Sequence, residues 1–501
     1  MDKVSFGALN WFMVIFYLGI MLLVGAYFTK KSSQSTDAFF KANGKVPSWA
    51  AGLSVYATTL SSITFMAVPE RSFLTDWSYA VGTLTIFLII PLMAKYFIPF
   101  FRRLHVTTAY EYLEARFSTT LRAMSSFLFV IYHLGRMAVV IYLPVLAITS
   151  VTDINPFLIA AIVGLLCVIY TFLGGIEGVI WSDAIQAIIL LAGAFLVIVV
   201  GLMKVDGGLV TLLTDTVEHQ KFISVNNNFN MANLASFIPL IFIGQFANTL
   251  YQYAGSQDVV QRFLTTKSTK EAVQSLWTSG WLSLSAIPLF FGMGTVLYSF
   301  YTHTGQLPED FNTSAIVPYF IVTQLPAGIA GLVIAAIFAA AQSTISSSLN
   351  AISSCFVVDF KQRFFNNHLK SLSDVWLARW VIIIAGTIST LITLYFIAGN
   401  SSSTWDIFLA VSGMFGVPVV GLFVLGIFTT KANATGALLG FVSSVLISFI
   451  ANNAKVSALL VAVLALVATV VFGYLFSLLF KGNKQLTNLA IHTLSDDLAE
   501  D

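Results

Sequence analysis

Charged residues are scarce in this chain. Asp, Glu, Lys and Arg make up 10% of its 501 residues, whereas a soluble protein carries roughly 25%. Hydrophobic residues make up 57%, and the mean hydropathy is +0.86. A soluble fold of this size cannot bury so much apolar surface. The composition therefore excludes a soluble protein and indicates one that lies in a lipid bilayer.

Cysteine and net charge are scarce as well. The two cysteines, Cys167 and Cys355, lie far apart within or beside apolar segments, so the sequence predicts neither a disulfide framework nor a thiolate metal site. The net charge is only +2, and Lys and Arg do not cluster into a basic face. We therefore expect no nucleic-acid partner.

Long apolar segments dominate what is present. A bilayer core about 30 Å thick is crossed by a helix of about 20 apolar residues, and segments of that length recur along the whole chain. The first ends at Lys30 and Lys31 and exceeds the apolar part of a signal peptide, so we interpret it as a retained helix. The segments predict an all-α membrane protein with about 13 transmembrane helices, at 7–28, 47–73, 77–100, 120–150, 156–173, 179–203, 235–261, 273–300, 316–353, 375–397, 403–427, 434–452 and 455–480.

The loops between these helices differ in positive charge. With the N-terminus outside, nineteen Lys and Arg residues fall on the inner side and five on the outer side. Cytoplasmic loops carry the excess of Lys and Arg. This predicts an outer N-terminus and a cytoplasmic tail at 481–501.

The predicted helices form two sets of five. No linker or low-complexity tract divides the chain, so we predict one polytopic domain, 1–501, with a leading helix at 7–28 and two C-terminal helices at 434–480. The sets span 47–203 and 235–427. Because five is odd, the second set enters the membrane from the opposite side, which is the inverted-repeat plan of many secondary transporters.

Hydroxyl residues crowd the middle of the second predicted helix. The run from Leu53 to Phe65 contains Thr58, Thr59, Ser61, Ser62 and Thr64 at a depth where lipid requires apolar side chains. Inward-facing hydroxyls that bond to helix carbonyls account for one or two of them. The rest weaken helical preference around Leu60, and an unwound turn there would free carbonyls such as those of Ala57 and Leu60 for a ligand.

Two later helices carry similar polar runs. In the seventh, the run from Gly244 to Gly255 includes Asn248, for which interhelical hydrogen bonding and substrate contact are equally good interpretations. In the ninth, Ala340, Ser343, Thr344 and Ser347 share one helical face. That face suits either tight helix packing or a sodium ion, which prefers several oxygen ligands. The matching polar gap in the second helix favours the ion.

Ionisable residues at membrane depth are candidates for function. Arg136, in the middle of the fourth helix, requires an anion, either a substrate carboxylate or a protein acid, for which Asp183 is the candidate. Asp183, at the inner end of the sixth helix, is a candidate cation ligand, salt-bridge partner or helix N-terminal charge, with the first favoured. His133 fits a hydrogen-bonded core histidine better than a proton relay.

Four stretches together resemble the sodium:solute symporter family, which includes sugar, proline, pantothenate and sialic acid carriers. They are 37–73, 174–186, 256–267 and 335–350, so the resemblance spans essentially the whole chain. The Gly-Gly, Ser-Asp and Gln pattern at 174–186 and the Gln-Arg-Phe-Leu run at 261–264 are fairly specific together. The resemblance implies a leucine-transporter-type 5+5 inverted repeat with one extra N-terminal helix and two C-terminal helices, and it is strongest toward bacterial sialic acid carriers.

The resemblance also implies site residues. It places one sodium ion at the carbonyls of Ala57, Leu60 and Ala340 and the hydroxyls of Ser343 and Thr344. A second sodium ion would use Asp183, Ser343, Ser346 and Ser347. The substrate would lie against Thr59, Ser61 and Thr64, with Arg136 on its carboxylate. Asn248, from the polar run of the seventh helix, is a further candidate substrate contact.

We therefore expect a sodium-driven symporter that imports a small acidic sugar, sialic acid above others, by alternating access. We expect it to work as a monomer in the lipid bilayer of a bacterial inner membrane. A symporter for a neutral sugar, proline or another carboxylate is the nearest alternative. A channel or a membrane-embedded enzyme is a remote one, since no nucleophile with a placed base or metal cluster is evident.

Overall fold

The computed structural model of the protein describes residues 5–234, 236–305, 307–308, 311–365, 373–399, 412–480 and 488–493. Helices are the only regular elements in these ranges. The main ones are α1 (Ala8–Ser32), α2 (Ser48–Thr59), α3 (Ser62–Leu74), α4 (Ala80–Arg103), α5 (Thr119–Val151), α6 (Pro156–Lys204), α7 (Ile238–Leu250), α8 (Gln257–Phe263), α9 (Thr269–Thr304), α10 (Ile329–Cys355), α11 (Asp374–Ala398), α12 (Val417–Phe428), α13 (Ala434–Asn453) and α14 (Ala458–Leu479).

Many of these helices are long and apolar enough to cross a membrane. Within the described ranges there are nine such helices, or ten if the bent pair α2 and α3 forms one span. Most predicted segments match a helix closely. The fifth and sixth predicted helices form the 49-residue α6, which is interrupted at Gly175 (φ 55°, ψ −160°). The membrane class predicted from composition is in agreement with these spans.

Two predicted helices are wrong as continuous segments. The seventh, 235–261, is broken at Ser256, between α7 and α8. The ninth, 316–353, consists of a short helix, Ile316–Gln324, followed by α10. Pro326 and Gly328 (φ 86°) separate these two, because proline disfavours a helical residue before it and the left-handed conformation suits glycine.

Parts of two predicted segments lie outside the described residues. The eleventh predicted helix, 403–427, is described only from residue 412 onward, where a π-helical turn, Ser412–Gly416, leads into α12. The predicted tail, 481–501, is described only at residues 488–493.

Helix α10 is the centre of the fold. Of its 27 residues, only Ile329 and Leu332 are not buried. Small side chains on α10 allow its neighbours to approach closely, and α1, α2, α5 and α6 all pack against it. Helices α13 and α14 pack mainly on each other and against α12. Ser343 and Ser347 of α10 contact the C-terminal end of α2 inside the bundle.

Candidate functional site

The chain leaves the helical conformation at Leu60, as the hydroxyl run predicted. Leu60 is extended (φ −96°, ψ 122°), and the axes of α2 and α3 differ by 60°. The hydroxyl of Thr58 donates to the Ser54 carbonyl, and that of Thr59 donates to the Tyr56 carbonyl. These side chains satisfy the last turn of α2 while the main chain changes direction. The predicted break in the second helix is confirmed.

A second break lies at Ser256 and has nearly the same geometry. Ser256 has φ −97° and ψ 118°, within a few degrees of Leu60. The two breaks are adjacent in space, since Gln252, just before the second break, donates through its side chain to the Thr59 carbonyl at 3.3 Å. Two interrupted helices therefore meet at the centre of the bundle.

Four of the five residues predicted for the first sodium ion converge. The Ser343 hydroxyl lies 3.0 Å from the Ala57 carbonyl oxygen and 3.2 Å from that of Ala340. The Thr344 hydroxyl lies 3.4 Å from the same Ala340 oxygen. Leu60, the fifth member of the set, is buried one turn beyond Ala57. These oxygens come from α2 and α10, more than 280 residues apart, and form a group of the kind that a hard cation binds.

Among the residues predicted for the second sodium ion, Asp183 and Ser347 are in contact. Its Oδ2 accepts hydrogen bonds from Ser54 (2.6 Å), Arg262 (2.8 Å) and Ser347 (3.5 Å). Its Oδ1 is buried and has no hydrogen-bond partner. A buried carboxylate oxygen without a partner is costly unless a cation or proton meets it. The fourth residue, Ser346, bonds to the Ser343 carbonyl on the same turn of α10.

Arg262 is a site residue that the sequence analysis missed. Its side chain is fully buried and donates to Asp183, to Ser54 and to Ser347. The signal was present, because Arg262 belongs to the Gln-Arg-Phe-Leu run, but that run was interpreted only as a family resemblance. Arg262 supplies one positive charge to Asp183 on the side opposite Oδ1.

Arg136 does not pair with Asp183, so that part of the prediction is wrong. Its Nη1 donates to Asp258 Oδ2 at 3.1 Å, and its Nη2 donates to the Thr58 carbonyl at 3.0 Å. Asp258, the second residue of α8, is fully buried and was also missed, because nothing in the local sequence connects it to a residue 122 positions earlier. Its nearness to the Ser256 break brings the two charges together.

His133 is a hydrogen-bonded core histidine, as predicted. Its Nδ1 lies 2.8 Å from the Ser348 hydroxyl and its Nε2 lies 3.2 Å from the Ser256 hydroxyl. Both ring nitrogens therefore have partners, and the ring links α5 to α10 and to the second break.

A cavity of about 500 Å³ lies beside the two breaks. Its floor and walls include the side chains of Thr59, Leu60, Thr64, Gln245, Thr249 and Gln252. The cavity extends along α3 to Glu70 and Arg71, close to Leu74, which is 54% exposed.

Hydroxyl and amide groups beside aromatic rings suit a polyhydroxylated ligand with an apolar face. Of the predicted substrate residues, Thr59 and Thr64 line this cavity, while Ser61, Asn248 and Arg136 are not part of its lining. Arg136 lies behind the floor, against the residue that precedes Thr59.

Comparison with known proteins places the chain among sodium-coupled transporters. The model of the sodium:solute symporter family matches residues 39–443. The chain is 42% identical over 486 residues to the sodium/sialic acid symporter NanT of Aliivibrio fischeri, covering 96% of this chain and 95% of that protein. It is equally identical to the sodium/sialic acid symporter SiaT of Proteus mirabilis, over 96% and 97%.

A solved structure is similar over almost the same extent. It is the substrate-bound outward-open state of a Na⁺-coupled sialic acid symporter, with a TM-score of 0.90 and 41% sequence identity. The similarity covers 96% of this chain and all of that chain. The likeness therefore extends over nearly the whole chain and is not confined to the site.

Proposed function

The chain belongs to the sodium:solute symporter family, and we propose that it is a sodium-driven symporter that imports sialic acid. It is a multi-pass secondary active transporter and not an enzyme. The observation that carries the proposal is the identity of 42%, over nearly the whole length, to two sialic acid symporters. The convergence of Ala57, Ala340 and Ser343 supports sodium as the driving ion.

Two sodium ions accompany the substrate in this proposal. The first binds Ala57, Leu60, Ala340, Ser343 and Thr344. The second binds Asp183, Ser343, Ser346 and Ser347. The unpartnered Oδ1 of Asp183 supports the second ion, since Arg262 already occupies Oδ2 and leaves Oδ1 for another positive charge.

The substrate lies in the cavity beside the breaks. Thr59 and Thr64 contact it directly, with Ser61 and Asn248 close by and Arg136 holding its carboxylate. Gln245 and Gln252 on the facing wall supply amide groups for the sugar hydroxyls and the acetamido group. The substrate carboxylate pairs with Arg136, because a guanidinium can bind a carboxylate through two nitrogens at once.

The fold in this proposal is a 5+5 inverted repeat of 13 helices within one domain. Residues 7–28 precede the repeats, the repeats span 47–203 and 235–427, two helices follow at 434–480, and the tail at 481–501 is cytoplasmic. The near-identical dihedral angles of Leu60 and Ser256, each in the first helix of its repeat, support this arrangement.

The N-terminus lies outside the bacterial inner membrane and the protein works as a monomer. With this orientation the cavity faces outward, because it extends toward the exposed end of α3. On the inner side, Asp183 and Arg262 are fully buried. Sodium binding holds α2 against α10, completes the cavity and permits the change to the inward-facing state.

The test is binding and uptake by the purified protein. Isothermal titration should show sialic acid binding in sodium chloride and none in potassium chloride of the same ionic strength. Proteoliposomes should accumulate labelled sialic acid only with an inward sodium gradient. If sodium drives uptake of a neutral sugar, proline or a simple carboxylate in preference to sialic acid, the proposed substrate is wrong. Flux without any sodium requirement would indicate a channel.

A further inference from the structure

Arg136 and Asp258 form a charge pair buried directly behind the cavity floor. The Arg136 side chain is 4% exposed and that of Asp258 is fully buried, and they meet at 3.1 Å. Buried charges persist in a protein when each has a partner and the remaining donors and acceptors are satisfied. In this arrangement the arginine already has its anion, so it holds a protein carboxylate in the place of a ligand carboxylate.

Both carboxylate oxygens of Asp258 accept hydrogen bonds, whereas one donor of Arg136 has no acceptor. Asp258 Oδ1 accepts from the Ser256 hydroxyl (2.5 Å) and from the Val259 backbone N–H (3.0 Å). Its Oδ2 is the atom bonded to Arg136. On the other side, Arg136 Nε is buried and has no hydrogen-bond partner. Asp258 would thus keep two donors if Arg136 moved away, whereas Arg136 has an unused donor and would gain from a ligand that meets more than one of its nitrogens.

The cavity is close enough for an exchange of partners. Arg136 Nη2 contacts the carbonyl of Thr58, and the next residue, Thr59, lines the cavity. A rotation of the arginine side chain toward the break would therefore present the guanidinium to the cavity without moving a helix.

We propose that Asp258 is a positioning residue that substitutes for the substrate carboxylate at Arg136 while the cavity is empty and gives Arg136 up when the acidic sugar binds. This inference rests on the proposed function, because it requires an anionic substrate. It also accounts for selectivity. A neutral sugar cannot replace Asp258, so Arg136 stays behind the floor and contributes nothing to binding.

The proposal predicts the direction in which removal of the Asp258 carboxylate changes the affinity for sialic acid. In Asp258→Asn, Arg136 has no internal anion to leave, so sialic acid should bind several-fold more tightly than to the wild type in sodium. A residue with a purely structural role would weaken binding when replaced. The matched control is Asp359→Asn, because Asp359 is equally buried and pairs with Arg122 at 2.7 Å but has no contact with Arg136. It should leave the Kd unchanged.

The measurement is the Kd for sialic acid by isothermal titration of purified full-length protein. Unchanged or weaker binding by folded Asp258→Asn overturns the proposal. If that variant does not fold, Ser256→Ala decides. Without the Ser256 hydroxyl, Asp258 loses a donor to Oδ1 and holds Arg136 more tightly. Sialic acid must displace Asp258 and should bind more weakly, whereas its methyl ester carries no carboxylate and should be unaffected. The ratio of the Kd for the ester to the Kd for the acid should therefore fall.

General damage to the cavity would weaken binding of both ligands together, so a ratio that stays at the wild-type value counts against the proposal. Failure of the wild type to bind sialic acid in sodium overturns the proposed function and this inference together. If the wild type binds sialic acid in sodium but the affinities of the variants do not change in the predicted direction, only the inference is overturned.

Discussion

Ser343 belongs to both proposed sodium sets. Its hydroxyl contacts carbonyls from α2 and from its own helix, whereas Ser346 belongs only to the set around Asp183. Replacement of Ser346 should therefore affect one proposed ion only, whereas replacement of Ser343 should affect both.

Replacing Ser343 with Ala should raise the sodium concentration for half-maximal sialic acid binding by about tenfold or more. Loss of one oxygen ligand to a cation costs at least about 1.4 kcal/mol, which corresponds to a factor of about ten. Ser346→Ala should instead lower the apparent Hill coefficient for sodium toward one. The control is Ser353→Ala, also buried on α10 and bonded only within its helix. Sodium titrations of the three variants are compared with that of the wild type. Curves for Ser343→Ala and Ser346→Ala that coincide with the wild-type curve, as the control curve should, would contradict the two-site assignment.

Arg136→Gln should abolish sialic acid binding and leave sodium binding intact. The guanidinium is the group proposed to hold the carboxylate, while neither sodium set includes it. We expect sodium to raise the thermal stability of the variant as it does that of the wild type, with no further rise on addition of sialic acid. Wild-type affinity in the folded variant would remove Arg136 from the substrate site.

At the scale of elements, the site depends on places where helices are interrupted. Leu60 and Ser256 interrupt two helices at the cavity, and Gly175 interrupts α6 eight residues before Asp183. An interruption changes the helix direction and so sets which side chains of the following turn face the bundle centre. The position of Asp183 thus depends on the backbone conformation at Gly175.

Gly175→Ala should destabilise the protein by about 1–3 kcal/mol, because an alanine at φ 55° is strained. Its Cβ would also lie 3.0 Å from the Ser32 Cβ and 3.2 Å from the Phe39 carbonyl oxygen. The matched control is Gly178→Ala in the same helix, where the nearest atom, the Phe28 Cβ, is 3.7 Å away. Melting temperatures in detergent should fall for the first variant only, and equal values would show that the bend tolerates a side chain.

At the scale of the whole molecule, the number of sodium ions sets the charge moved in each cycle. One sodium ion with one anionic sugar moves no net charge, whereas two move one positive charge inward. That charge gains about 2.3 kcal/mol from a membrane potential of 100 mV. The proposed two-sodium cycle therefore predicts uptake that is sensitive to voltage.

Uptake into proteoliposomes should accelerate when a potassium diffusion potential makes the interior negative. Ser346→Ala, which damages only the second set, should reduce this acceleration more than it reduces uptake at zero potential. Uptake by the wild type that is indifferent to the imposed potential would contradict a two-sodium cycle with an anionic substrate.

Membrane orientation is also a property of the whole chain. Both native cysteines, Cys167 and Cys355, are buried. Labelling of a single cysteine introduced at an exposed position therefore shows on which side of the membrane that position lies. A membrane-impermeant maleimide added to intact cells should label Val217→Cys, since Val217 is 78% exposed in the predicted outer loop. It should label Gln34→Cys, an exposed position in the predicted inner loop, only after permeabilisation. The reverse pattern would invert the topology.

Much of the site is predictable because its signals are local. The hydroxyl run around Leu60 lies at a depth where lipid requires apolar side chains. This mismatch correctly located the break. The run before Ser256 is equally polar, but its amide and tyrosine side chains also suit interhelical bonding, so the second break could not be placed. The interruption at Pro326 and Gly328 was readable from those two residues, although the apolar length of the segment obscured it.

The sequence by itself determined the membrane class, most helix positions and the two oxygen-rich stretches on α2 and α10, because hydropathy and hydroxyl content act over a few turns. Only the tertiary structure decided which charges meet. Arg136 pairs with Asp258 and Asp183 with Arg262, across 122 and 79 residues. The physical reason is that a buried charge is stabilised by whichever opposite charge the packing brings within about 3 Å, and sequence spacing does not reveal that distance.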